Sequence, residues 1–268
     1  MKAPDLPDYL TDPCARFAKE YLRLGHFIAS ILWIANHSDE FSRAVAKVFF
    51  ETAGPSKYIE IEERLKKDGA LQTVYRHMRL IFQMMFCRSV DNYLAYISEL
   101  LALIFRVRPE TPRSNETIRL DEILRYATME QLIDELADRK VNDLSYQGMR
   151  ELLKYLLDRL GFELYAEESA RRQSIRIVEV RNLIVHNRGI VNRVFQSRLP
   201  DSKEALGQSL DLDVDTVFSD MYFLAASAFD IDAHAANKFG LDQKIGKQDI
   251  YDSVAEQVTA PDASSGSR

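Results

Sequence analysis

One arginine, one asparagine and one histidine stand close together in Arg181-Asn182-Leu183-Ile184-Val185-His186, the only place where a histidine follows an arginine by five positions. With 23 arginines and 5 histidines in 268 residues, chance supplies about 0.4 such pairs, and about 0.01 once Asn must follow the arginine. The extended form therefore carries information that the bare spacing lacks. An imidazole can take a proton from a hydroxyl or give one to a leaving oxygen near neutral pH. A guanidinium stays charged and grips a phosphate with two prongs as charge builds in a transition state. Asn182 is suited to orienting the imidazole or the substrate. Arg188 and Arg193 are placed to steer a strand, and Gly189 leaves room for its backbone. On a helix, Asn182, His186, Gly189 and Arg193 fall within about 40° of one face, with Arg181 about 100° to the side of Asn182.

The charge around this motif is uneven. Arg171, Arg172, Arg176, Arg181, Arg188, Arg193 and Arg198 occur in one stretch without a lysine and with a single acid, Glu179. That stretch is +6 in a chain of net charge -6, so the remainder is -12. An acidic chain that gathers its arginines in one place fits a local anionic ligand, not a generic nucleic-acid surface. The same residues also admit a structural reading, with His186 packed at a helix end and Arg181 paired with an acid such as Glu179 at an interface.

Other groups offer less. His26, His37, His77 and His234 have no second ligand three or four positions on that would build a metal site, so no metal and no cofactor are expected. Asp230 and Asp232 lie about 200° apart on a helix, and Asp230 with His234 reads as a surface pair. Asp91 and Asn92 interrupt an apolar helix and read as buried hydrogen-bonding residues, with service in a dimer pocket as the alternative. Trp33 and the other aromatics read as core. Cys14 and Cys87 have no neighbouring base, form no disulfide framework, and make a poor thiol nucleophile. No glycine-rich phosphate loop is present.

The elements that must position the motif read as helices. Apolar residues make up 46% and charged residues 28%, and with only 10 Gly and 8 Pro the chain has few turns. That excludes a mainly disordered chain and a many-stranded barrel or sandwich. No apolar run reaches the ~18 residues of a membrane helix, and the N-terminus lacks a signal core, so a soluble cytoplasmic protein is expected. Two N-terminal helices are predicted over 14–36 and 39–52, the second started by Ser38, Asp39 and Glu40. A short helix closes at Gly69. An uninterrupted apolar periodicity predicts one long central helix over 70–105, ended by Pro109 and Pro112. Thr128 with Gln131 predicts a capping box for a helix to about Lys140. Ser145 starts the next, which Gly161 stops. A helix over 172–187 carries the motif and stops at Gly189. Alternation of Leu210, Leu212 and Val214 admits a short strand near 209–215, and a last helix spans 215–238.

At this point the sequence resembles the HEPN superfamily, small helical bundles marked by an arginine and a histidine with four to six residues between them. A polar residue, often Asn, follows the family's arginine, as Asn182 does here. SVDNYLAYISELLALIF, ahead of Pro109, is similar to the family's long helix. LSYQGMRELLKYLLDRLGFEL and HNRGIVN resemble the larger stand-alone bacterial members. The resemblance covers roughly residues 70–240, and residues 1–69 carry no part of it. It implies a metal-independent endoribonuclease whose site forms where two copies meet, each giving one arginine and one histidine. The RNA 2′-hydroxyl would attack the adjacent phosphorus to leave a 2′,3′-cyclic phosphate. Arg181, His186 and Asn182 are the implied catalytic residues, and Arg188, Arg193, Asn187 and Arg176 the implied RNA contacts.

The expected protein is thus all-α: a HEPN-like bundle over 70–240, an added helical segment over 1–69, and a partly disordered tail over 241–268. RNA and a second copy are the expected partners, with an antitoxin or a defence-system protein as a third. Toxicity or antiphage defence is the implied setting. The alternatives from other classes are a non-catalytic dimerisation or adaptor module and a nucleotide sensor using the same arginines.

Overall fold

In a computed structural model the chain is all-α, described over residues 4–53, 55–108 and 123–259. The first helix, α1 (Asp12–Ala53), runs without a break through the place where two helices were expected. Its start is anchored by Thr11, whose N–H donates to buried Asp232 at 3.0 Å. Ser38, Asp39 and Glu40 look like a cap in sequence, yet Asp39 caps a different helix. Its carboxylate, 4% exposed, accepts from Ala70 N–H at 2.8 Å and Leu71 N–H at 3.1 Å. Those are orphan donors at the start of α3 (Ala70–Arg76), which follows α2 (Pro55–Asp68). A helix-capping carboxylate of this kind contributes about 1 kcal/mol.

The long helix expected over 70–105 is divided. After α3 the backbone turns at His77 (φ -100°, ψ 4°) and resumes as α4 (Met78–Val107). Neither Gly nor Pro marks the break, so the apolar periodicity passes over it. Pro109 and Pro112 lie outside the described residues. α4 is the central helix, with Phe86, Val90, Tyr93, Ile97, Leu100 and Phe105 each no more than 2% exposed. Around it pack α1, α5 (Met129–Gln147), α7 (Glu168–Asn187) and α9 (Val214–Phe239). The core is pinned by polar contacts too: Tyr93 and Tyr165 share a hydrogen bond of 2.6 Å, and Tyr96 donates to the carbonyl of Ala228 at 3.0 Å.

Several boundaries agree with the local chemistry. Thr128 accepts from Gln131 N–H, and the Gln131 side chain returns a bond to Ala127 N–H. Ser145 lies inside α5, and α6 (Met149–Leu160) begins instead after Gly148, whose φ of 92° breaks the helix. Gly161 ends α6 in the left-handed region and Gly240 ends α9 likewise. No strand forms near 209–215. There is a single bridge between Ile190 and Ser209, while Leu210 and Leu212 turn into the core.

The region after 240 holds more order than its composition suggests. β2 (Ile245–Gly246) pairs antiparallel with β1 (Tyr9–Leu10), and α10 (Lys247–Thr259) buries Ile250 and Val254. The two ends of the chain are thereby clipped together. Residues 260–268 lie outside the described residues. Trp33, expected in the core, is 61% exposed and packs its ring on His37. It belongs to an exposed apolar second half of α1 in which Phe27, Ile34, Phe41 and Val48 recur every seven residues. Among the described residues no helix is long and apolar enough to cross a membrane.

Candidate functional site

α7 carries the motif and ends just after it. Arg188 takes the left-handed conformation (φ 55°) and Gly189 follows at φ 73°, its N–H reaching back to the Leu183 carbonyl at 3.1 Å. The helix face drawn in sequence through Asn182, His186, Gly189 and Arg193 is therefore cut short. Gly189 lies in the turn, and Arg193 opens a new helix, α8 (Arg193–Arg198), capped by Asn192. The turn is held in shape. Val191 N–H bonds the Gln208 carbonyl, Leu210 N–H bonds the Gly189 carbonyl, and Arg79 from α4 ties down Ser209 and Leu210. The Asn187 side chain donates to the Ile190 carbonyl.

Between α4, α7 and α8 lies a groove of about 630 Å³. Arg181, Asn182, His186 and Asn187 all line it, over a floor that includes Ile97, Leu101 and Leu152. The structure thus brings the three expected catalytic residues to one wall. It does not bring the arginines expected as RNA contacts there. Arg188 and Arg193 are exposed beyond the helix end, and Arg176 faces another concavity, where it pairs with Asp220 at 3.2 Å.

Arg181 reaches the groove by folding along α7. One terminal nitrogen donates to Asn182 Oδ1 at 3.1 Å and the other pairs with Asp91 of α4 at 2.7 Å. Its Nε–H is buried and has no partner among the described residues. Asp91 was noted in sequence as a polar break in an apolar helix, and its role is this ion pair. Its neighbour Asn92 makes the expected hydrogen bond, to the Phe17 carbonyl at 3.0 Å. Glu179 is not the partner of Arg181. It is 8% exposed and both its oxygens accept from Arg198, at 3.2 and 3.1 Å. Arg198 and Phe195 of α8 also line the groove and were not singled out in sequence, where only the distance between α7 and α8 along the chain was visible.

His186 differs from these residues. Its ring is exposed at the groove and has no hydrogen-bond partner among the described residues. Nearby Cys87 is no competing nucleophile. Burial above all, with Asp91 adding to it and Arg181 opposing, pushes its thiol up to about 11. Among the described residues no three His, Cys, Asp or Glu side chains come together as a metal site. No protein-family model matches the chain, and neither does a curated protein or a solved structure.

Proposed function

We propose that the protein is a HEPN-type endoribonuclease acting as a homodimer, with Arg181, Asn182 and His186 at the reacting phosphate. The observation that carries this is the gathering of the three side chains on one groove wall, with the imidazole uncommitted. In the proposed reaction the ring of one copy accepts the 2′-hydroxyl proton as that oxygen bonds to phosphorus. The ring of the second copy protonates the departing 5′-oxygen, leaving a 2′,3′-cyclic phosphate and a 5′-hydroxyl. Arg181 holds a non-bridging oxygen as charge accumulates. The exposed apolar residues of α1, spaced every seven, support association with a second chain or a partner protein. A toxin or defence role would follow from uncontrolled cleavage.

A second reading is favoured by a specific feature. Two nitrogens of the Arg181 guanidinium are already taken by Asp91 and Asn182. In that reading the helix end is a non-catalytic dimer or adaptor surface, and the arginine is structural. The experiment that separates them is cleavage of an RNA panel by the purified chain and by His186→Ala, with oligomeric state followed by sedimentation. The nuclease reading expects cleavage with cyclic-phosphate ends that survives a chelator and vanishes in the variant, while dimerisation persists. Equal cleavage by the two proteins overturns the role of His186, and no cleavage by either supports the adaptor.

A further inference from the structure

On the other side of α7 lies a larger concavity of about 980 Å³, which the nuclease reading leaves without a role. Two helical stripes face each other across it. Arg150, Leu153, Lys154 and Leu157 recur at helical spacing on α6, and Arg171, Arg172, Ile175 and Arg176 do so on α7. Residues 199–204, after α8, close the third side. Its lining mixes apolar side chains such as Leu153, Leu157, Ile175 and Phe195 with charged ones of both signs, Asp201 and Glu204 among them. A space of this size is that of a small-molecule site and far exceeds a bare inorganic anion.

The charges divide into two kinds. Arg171 is held by Glu163 and Glu168, Arg172 by Glu168, and Arg176 by Asp220. Arg150, Lys154 and Lys203 are exposed and have no carboxylate partner among the described residues; Arg150 gives one N–H to the Arg198 carbonyl at 3.2 Å. At the floor sits Asp220, 3% exposed, accepting from Gln173 at 3.1 Å and Arg176 at 3.2 Å. A carboxylate has about four lone-pair sites, so two remain. Exposed cations, apolar side chains and a buried acceptor in one pocket complement a phosphate, a ring and an amino or hydroxyl donor.

We propose that this pocket binds a nucleoside phosphate, either free or as a unit of an RNA strand continuing past Arg198, which lines both concavities. The site stands independently of the cleavage reading. The test titrates the full-length chain with AMP, GMP, CMP and UMP, with inorganic phosphate alone, and with a short 2′-O-methyl oligonucleotide that cannot be cut. Binding is read by calorimetry and by the rise in Tm. At least one mononucleotide, or failing that the oligonucleotide, should bind better than phosphate. Reversing both exposed cations in Lys154→Glu/Lys203→Glu should weaken that binding by at least about tenfold, or 1.4 kcal/mol. The variant's own Tm without ligand should be unchanged, and His186→Ala should bind the mononucleotide as the parent does. Mononucleotide binding assigns a free ligand, and oligonucleotide binding alone assigns the strand. The proposal is overturned if nothing binds better than phosphate, if the double variant binds as well as the parent, or if His186→Ala abolishes mononucleotide binding. RNA cleavage without nucleotide binding sinks the pocket alone, and nucleotide binding without cleavage sinks the nuclease alone.

Discussion

Two concavities share α7 and α8, and they spend their charge differently. In the His186 groove every cation is already matched: Arg181 with Asp91, Arg198 with Glu179. Among the described residues the one uncommitted titratable group there is an imidazole. In the larger pocket three exposed cations are without a carboxylate partner among the described residues, and one of its carboxylates, Asp220, is buried. Chemistry benefits from few groups held rigidly around one that can exchange a proton, because positioning is settled before the substrate arrives. Binding benefits from charge that the protein has left unneutralised. On the proposed reading, turnover belongs to the first concavity and affinity to the second.

The largest effect that breaks this contrast is His186→Ala. Loss of a general acid–base group lowers cleavage by about 10²–10⁴-fold, while an exposed ring without partners leaves Tm unmoved. An equal loss of stability would make the histidine structural. Next comes Arg181→Lys, which keeps charge but loses the planar fork, and cleavage should fall on the order of 10²-fold. Asp91→Asn removes only the anchor of that fork, and a drop of about tenfold is expected, the size of one charge-assisted hydrogen bond. Both are read from initial rates on a defined oligonucleotide. A rise in rate with Asp91→Asn would show instead that the carboxylate blocks the phosphate site.

These tests lean on residues that were unequally visible in the sequence. The stop of α7, the Thr128 cap and the Gly161 stop follow from short-range chemistry, so they could be read locally. Three side chains of the motif were also legible as a set, because their spacing was too specific for chance. Asp39 shows why other features were not. With Ser38 before it, it read as the first-turn acid of a new helix, but its carboxylate serves a helix start 31 residues downstream, so the local reading split α1 in two. His77 breaks a helix with no Gly or Pro to announce it. Arg181 lies off the shared face by helical register and joins it through Asp91, a tertiary partner on α4. Trp33 looked apolar and hence buried, yet hydrophobicity does not say whether a partner exists to bury it.

A smaller effect sharpens the groove's geometry. Cys87 sits near Asp91 and Arg181, with its thiol pushed up to about 11, first by burial, then by the Asp91 charge, against the pull of Arg181. It is therefore a reporter of that ion pair. At pH 8 alkylation should be slow. Asp91→Asn should speed it, and Arg181→Ala should slow it further, each read by mass spectrometry against Cys14 as the buried reference. Identical rates in all three proteins would mean the pair is not formed in solution.

The smallest expected effect concerns the floor of the larger pocket. Burial is the main cause that raises the Asp220 carboxyl above its ordinary value of 3.8, opposed by Gln173 and Arg176 and reinforced by the charge of Asp213. The folded chain thus holds the Asp220 proton more tightly than the unfolded chain does. Its contribution to stability is present below 3.8 and is lost as pH rises through the elevated folded value. Asp220→Asn has no such proton. The stability of the parent relative to this variant, from urea unfolding at a series of pH values, should therefore decline as pH climbs from below 3.8. Asp232, also raised by burial, is common to both proteins and cancels in the difference. A difference that grows with pH would mean that Arg176 and Gln173 outweigh burial. The pocket floor would then be a satisfied ion pair with no acceptor to spare, and the division of labour between the two concavities would lose its second half.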